Sequence, residues 1–163
     1  DAVFDTLKRV IKIERRNEEA LQKICFWAEF TGRLEESVEL HTNLTDEDPY
    51  NTLAWFNLGA AYQGLKMYEK CIDAYEYCVA IDEKFEFAYR NMADAYMRLK
   101  WYEKALEVLE KHIEIAKPED VIFEAMGYCW EKRKDFTQAR LFYRKASQLS
   151  PQDDGIFYKI GET

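Results

Sequence analysis

The sequence has few of the residues that break helices or build catalytic centres. Its 163 residues include six glycines, three prolines and two histidines. Scarce glycine and proline, together with many Glu, Lys, Ala and Leu residues, favour helix over sheet. With 48% hydrophobic and 33% charged residues, the composition is that of a folded domain and not of a disordered chain.

Long apolar runs and a basic surplus are also missing. No stretch approaches the roughly 20 apolar residues of a membrane span, and no signal peptide is visible. The net charge of −8 argues against nucleic acid as a partner, because binding to its phosphates requires clustered Lys and Arg. We therefore expect neither a nucleic-acid partner nor direct membrane binding.

Metal-ligating and nucleophilic patterns are equally sparse. The two histidines, His41 and His112, are expected to be structural, and no C-x-x-C pair accompanies them to suggest a zinc site. The four cysteines fit free thiols in a reducing compartment, so the expected location is cytoplasmic. Cys71 and Cys78 are expected to act as small buried apolar residues, whereas Cys129 is expected to be more exposed. We predict no catalytic residue, metal or cofactor.

What the sequence does contain is a 34-residue period. Steps of 34 residues from Gly59 lead to other small residues: Cys25, Ala93, Gly127 and Gly161. The same steps from Trp55 lead to large apolar residues: Leu21, Tyr89, Phe123 and Phe157. Agreement in many columns at one stride indicates internal repeats.

Each repeat contains two helical patterns. The first is a stripe at i, i+3, i+4 and i+7, formed in the best-defined unit by Trp55, Leu58, Gly59 and Tyr62. The second is a stripe at i, i+4 and i+7, formed by Cys71, Tyr75 and Cys78. A glycine inside a helix costs about 1 kcal/mol relative to alanine. We expect close helix packing at Gly59 and Gly127 to offset that cost.

This pattern resembles the tetratricopeptide repeat family, in which W-x-x-L-G-x-x-Y is followed by small, aromatic, small and proline columns. The resemblance implies an all-α, right-handed α-solenoid of antiparallel helix pairs. The predicted array covers the whole chain: a second-helix half-repeat at 1–17, a degenerate repeat at 18–51, repeats at 52–85, 86–119 and 120–153, and the start of a further repeat at 154–163.

The two half-units lead us to expect a fragment of a longer array, because solenoids need polar capping helices at their ends. The first helix, through Phe4, Leu7 and Ile11, and the last, through Phe157 and Ile160, would then lack stacking neighbours. End-to-end self-association of the fragment is the expected consequence.

The resemblance also implies a concave groove lined by the first helix of each pair. In the family's register, the second, fifth, ninth, twelfth and thirteenth residues of each unit face that groove. Apolar and aromatic anchors flanked by charges suit a peptide or a partner helix. The predicted partner-binding residues are Phe26, Phe30, Phe56, Phe87, Arg90, Asp94, Met97, Arg98 and Tyr128.

The charged residues of this set predict the charge of the partner segment. Arg90 and Arg98 flank Asp94 at i−4 and i+4 on one helix, so we expect Asp94 to pair with one of them. The other arginine would then meet a carboxylate of a partner peptide, next to an apolar or aromatic anchor.

The predicted function is therefore a non-enzymatic scaffold or adaptor that binds a partner peptide or helix. Two alternatives stay open. The chain could be a structural stretch of a larger assembly whose groove is filled in cis, or a regulatory module of a catalytic domain outside this sequence.

Overall fold

The computed structural model describes residues 2–117, 119–152, 155 and 159–161. Within these residues the chain is helical and forms no strand. The helices, in chain order, are α1 (Ala2–Ile13), α2 (Glu18–Phe30), α3 (Leu34–Glu47), α4 (Thr52–Gly64), α5 (Tyr68–Ile81), α6 (Glu86–Arg98), α7 (Tyr102–Ile115), α8 (Asp120–Lys132) and α9 (Phe136–Leu149). Residues 155 and 159–161 are also helical. The predicted all-α class of packed helix pairs is confirmed.

The chain divides into two compact units, Asp1–Asn91 and Met92–Thr163, with the boundary inside α6. In the first unit, α2 packs on α1, α3 and α4, and α4 packs on α5. In the second unit, α8 packs on both α7 and α9. The division of the chain into repeats with the bounds given above stays a prediction.

One core cluster of the first unit is built from α1, α2, α3 and the start of α4. Its buried residues are Phe4, Ile11, Ala20, Leu21, Ile24, Ala28, Leu40, Leu44 and Ala54. Phe4 and Ile11 of α1 are fully buried in this cluster, and the expectation that α1 lacks a stacking neighbour on its other side stays a prediction. Phe157 lies outside the described residues, and end-to-end self-association stays a prediction.

The glycine prediction is confirmed by the packing of α4 on α5. A Cβ atom at Gly59 would lie 2.5 Å from Cε1 of Tyr75, far inside van der Waals contact. In the second unit, a Cβ atom at Gly127 would lie 2.7 Å from Cδ1 of Tyr143. Both tyrosines are buried, so each glycine provides the space that the ring opposite occupies.

The turns inside the helix pairs share one backbone geometry. Gly32, Lys66, Lys100 and Lys134 follow one another at the repeat period and have φ values of 69°, 59°, 62° and 64°. After α4, for example, the Met67 N–H donates to the Tyr62 carbonyl and the Lys66 N–H to the Gln63 carbonyl, both at 2.9 Å. These are the two bonds of a Schellman C-cap, which requires a left-handed residue and is usually built with glycine.

Candidate functional site

All nine predicted partner-binding residues lie on the first helices α2, α4, α6 and α8. Each of these helices buries one stripe against its neighbours, and the predicted residues lie outside or at the margin of that stripe. Phe26, Phe30 and Phe87 are more than half exposed, and Tyr128 is 39% exposed. Phe56, Asp94 and Met97 are half-buried, whereas Arg90 and Arg98 are exposed.

On α2, three aromatic side chains form a cluster that reaches solvent. Phe26 and Phe30 stack with their ring centroids 6.1 Å apart and their planes 12° apart. Trp27 meets both rings edge-on at 5.6 Å and is itself partly buried against the core. Because Phe26 is 62% and Phe30 71% exposed, these two rings offer apolar area that the first unit itself leaves uncovered.

Phe56 has a different environment from the one expected. Its ring centroid lies 5.6 Å from that of Tyr75 and 5.1 Å from that of Phe85. Phe85 in turn meets the exposed ring of Phe87 at 6.1 Å. Phe56 therefore contributes to internal packing as well as to the surface. Phe85 was missed, because its column holds Asn51 and Glu119 in the neighbouring repeats and gives no periodic aromatic signal.

In the second unit, α6, α8 and the helical residues near position 160 enclose a cavity of about 380 Å³. It is lined by Asp94, Met97, Arg98, Val121, Glu124, Ala125, Tyr128 and Lys159. Four of the nine predicted residues thus converge on one cavity. The sequence analysis missed Lys159, because the sixth place of a unit was not among the groove-facing places. The repeat period nevertheless gave a signal, since it places the final half-unit after α9 and beside α8.

Two ion pairs border this cavity. Nε of Arg98 lies 3.5 Å from Oδ1 of Asp94, and Nζ of Lys159 lies 2.7 Å from Oε2 of Glu124. Asp94 therefore pairs with the arginine that follows it, as the i, i+4 spacing allows. The two acidic and two basic side chains balance, so the rim carries no net charge while the apolar lining comes from Met97 and three α8 residues.

Tyr128 joins the cavity to the aromatic side chains of α7. Its ring meets that of Tyr102 edge-on at 6.1 Å, and the ammonium group of Lys132 lies 5.0 Å from the centre of the Tyr128 ring. Partial burial, and then the neighbouring Tyr102, raise the pKa of the Tyr128 hydroxyl above its ordinary value. The hydroxyl stays neutral at physiological pH and can donate a hydrogen bond.

Three of the four cysteines, Cys71, Cys78 and Cys129, and both histidines are buried, whereas Cys25 is partly buried. Burial raises the pKa of the Cys78 and Cys129 thiols to about 12, which removes the thiolate needed for nucleophilic attack. The expectation that Cys129 is more exposed is wrong: it is fully buried, because its column faces the interior of the second unit. Among the described residues no group of three potential metal ligands comes together.

None of the helices in the described part of the chain combines the length and apolar composition that crossing a bilayer would require.

Comparison with known proteins agrees with this architecture. Family models of the tetratricopeptide repeat match residues 52–85 and 88–118. No curated protein matches the chain. Among solved structures, MamA has 22% sequence identity and a TM-score of 0.79, with coverage of 93% of this chain and 89% of that chain.

Two further structures are similar over most of their length. TTC0263, described as a thermophilic TPR protein in Thermus thermophilus, has 16% identity and a TM-score of 0.72, covering 98% of this chain and 87% of that chain. YrrB, described as a TPR protein with an unusual peptide-binding site, has 15% identity and a TM-score of 0.77, covering 95% of this chain and 80% of that chain. At these identities the likeness establishes the fold alone.

Proposed function

Because the chain belongs to the tetratricopeptide repeat family, we propose that it is a non-enzymatic interaction module that holds a segment of a partner protein against its first helices. The observation that carries the proposal is the cavity between α6 and α8, on which Asp94, Met97, Arg98 and Tyr128 converge. An apolar lining with a balanced polar rim suits one anchoring side chain of a peptide.

We place the acidic residue of the partner opposite Arg98, whose pairing with Asp94 is replaceable. The Arg98 side chain is 60% exposed and its contact with Asp94 is long, at 3.5 Å. Exposed pairs of this kind contribute little to stability, about 0–1 kcal/mol. Arg98 can therefore exchange Asp94 for a partner's carboxylate at small cost, while the apolar or aromatic anchor occupies the space beside Met97 and Tyr128.

A peptide is the partner class that the comparisons also support, since one similar protein, YrrB, is described as having a peptide-binding site. In the first unit the exposed Phe26 and Phe30 rings extend the apolar area available on first helices. Aromatic side chains of this kind dominate the energy of protein interfaces because they bury much area at little entropic cost.

The proposal is tested with a double variant, Arg98→Glu with Tyr128→Ala, against a matched control, Arg140→Glu with Tyr50→Ala. All four side chains are exposed, and each variant replaces one arginine by glutamate and one tyrosine by alanine, so the two variants change the charge equally. Phe56 is not used, because its contacts with Tyr75 and Phe85 would confound binding with stability.

Both variants and the wild type are used as bait in a native lysate, and captured proteins are compared by quantitative mass spectrometry after equal melting temperatures are verified. We expect the Arg98→Glu, Tyr128→Ala variant, called the groove variant below, to lose partners that the control and the wild type retain. Retention of all partners by the groove variant would reject this face as the recognition surface and favour a structural role in a larger assembly.

A further inference from the structure

A second cavity of the same unit lies away from the first. It measures about 360 Å³ and is formed where α7 begins and α8 ends. Its lining consists of Lys100, Trp101, Tyr102, Glu103, Lys104 and Arg133. None of these residues lines the cavity assigned above to the partner segment, so this cavity is unexplained by the proposed function.

The second cavity is cationic in a protein of net charge −8. Lys100, Lys104 and Arg133 contribute three positive charges, and Glu103 contributes one negative charge. Arg133 approaches Glu103 at 3.5 Å, but the Glu103 side chain is 74% exposed, so this contact is weak. In the part of the chain that the structure describes, neither Lys100 nor Lys104 has a carboxylate within ion-pair distance.

Aromatic rings hold two of these cations in place. Nζ of Lys104 lies 5.0 Å from the centre of the Trp101 ring and 5.7 Å from that of Tyr96. The guanidinium of Arg133 lies 4.8 Å from the centre of the Trp130 ring. Contacts of this kind leave the N–H donors available while they restrict the long side chains, which lowers the entropic cost of binding an anion.

We propose that this cavity binds a phosphorylated side chain of a partner protein. A phosphoryl group carries nearly two negative charges and three acceptor oxygens at neutral pH. It therefore matches a cavity with three cations and a surplus of two positive charges. A single carboxylate would satisfy only part of this charge, and Arg133 already has a carboxylate neighbour in Glu103.

A protein partner fits better than other phosphate-bearing surfaces. A membrane or a nucleic acid presents many anionic groups at once, and the overall charge of −8 would repel such a surface. A single phosphoryl group meets the local positive potential within about one Debye length, roughly 8 Å at physiological salt, and enters a concave site.

The test uses the whole chain and three fluorescein-labelled peptides of identical flexible sequence with a central phosphoserine, aspartate or serine. Fluorescence anisotropy measures their affinity for the wild type, for Lys104→Glu with Arg133→Glu, and for a control, Lys12→Glu with Lys84→Glu. The control changes the net charge equally at two exposed residues of the first unit. Circular dichroism verifies that all three proteins are folded and melt alike.

We expect the wild type and the control to bind the phosphoserine peptide alike, and the cavity variant to bind it at least about tenfold more weakly, as the loss of a charge-assisted contact implies. Sedimentation with phosphatidylserine vesicles should show no binding. Three results would overturn the proposal: no phosphoserine binding by the wild type, equal loss in the control, or equal affinity for the aspartate peptide. Vesicle binding abolished by the cavity variant would identify a membrane site instead.

Discussion

The Tyr75 ring occupies the space that a side chain on Gly59 would need, with Cε1 of the ring 2.5 Å from the position of a Cβ atom. The two residues are sixteen positions apart, and the same offset joins Gly127 to Tyr143. In the repeat between them, the corresponding positions hold Ala93 and Leu109, both buried. The repeat with the larger small residue, alanine, thus holds the smaller residue, leucine, at the position sixteen further along.

This relationship predicts a compensating pair of substitutions. Gly59→Ala places a methyl group against the Tyr75 ring and should lower the free energy of unfolding by about 1–3 kcal/mol, the usual cost of overpacking. Tyr75→Leu in the same chain recreates the Ala93 and Leu109 combination and should recover part of that loss. Urea unfolding of the two single variants and the double variant measures the coupling. Strictly additive effects would contradict direct contact between the two positions.

The left-handed turn at Lys66 predicts a gain of stability on substitution. Its φ of 59° disfavours any residue with a Cβ atom. Lys66→Gly should raise the free energy of unfolding by about 0.5–1 kcal/mol, since relief of this strain exceeds the entropic cost of glycine. Lys66→Ala is the control, because it removes the same side chain but keeps the Cβ atom. Equal stability of the two variants in chemical denaturation would show that backbone strain is not the cause.

Gly32 provides the reverse experiment at the equivalent turn. Apart from Gly32 and its two chain neighbours, no residue has an atom within 4 Å of a Cβ placed on Gly32, so a methyl group there meets no neighbouring helix. The φ of 69° alone should make Gly32→Ala less stable by about 1 kcal/mol. Thermal unfolding, followed by circular dichroism, checks the sign of the change.

His41 predicts a dependence of stability on pH. The residue is fully buried, and its Nδ1–H donates to the Ser37 carbonyl at 2.8 Å. Its Nε2 atom has no hydrogen-bond partner among the described residues. Burial lowers the pKa of His41 from 6.5 to about 4, because a proton on Nε2 would place a charge in the core without a partner.

The direction of this pH dependence follows from the number of protons that the unfolded and the folded chain bind at His41. As the pH falls below about 6.5, the unfolded chain binds a proton at His41 that the folded chain does not bind until about pH 4. The contribution of neutral His41 to the free energy of unfolding is therefore fully present above pH 6.5, and roughly 3 kcal/mol of it is lost between pH 6.5 and 4. His41→Leu introduces the residue type found at Leu109 in the same column. In urea titrations over this pH range, the free energy of unfolding of this variant should fall by roughly 3 kcal/mol less than that of the wild type. Identical pH profiles would refute the assignment.

The Asn57 side chain links two first helices, α2 and α4, so we expect its removal to weaken the contact between them. It is buried on α4, and its Nδ2 donates to the Leu21 carbonyl of α2 at 2.7 Å. Asn57→Ala leaves that carbonyl without its side-chain donor and should lower the free energy of unfolding by about 1–3 kcal/mol. The exposed Asn43→Ala is the control and should change stability by less than about 0.5 kcal/mol. Equal effects in denaturant titrations would contradict the role of the buried hydrogen bond.

The sequence alone determined the helix-pair architecture, because each column of the repeat carries a side chain whose size and polarity are dictated by burial at a fixed helical spacing. The stripe from Trp55 to Tyr62 and the small residues at Gly59 and Gly127 could therefore be predicted from the period. The environment of Phe56 could not be predicted, because its neighbour Phe85 lies in a column without a shared residue type.

Only the tertiary structure decided which groups meet across helices. The left-handed φ of Lys66, Lys100 and Lys134 left no mark in the residue type, since the C-cap hydrogen bonds offset the strain that glycine would avoid. The sequence did not predict the cationic cavity either, because Lys104, near the start of α7, and Arg133, just after the end of α8, are 29 positions apart and share a cavity only in the folded chain. Periodicity records contacts that recur in every repeat, whereas a site is built from contacts that occur once.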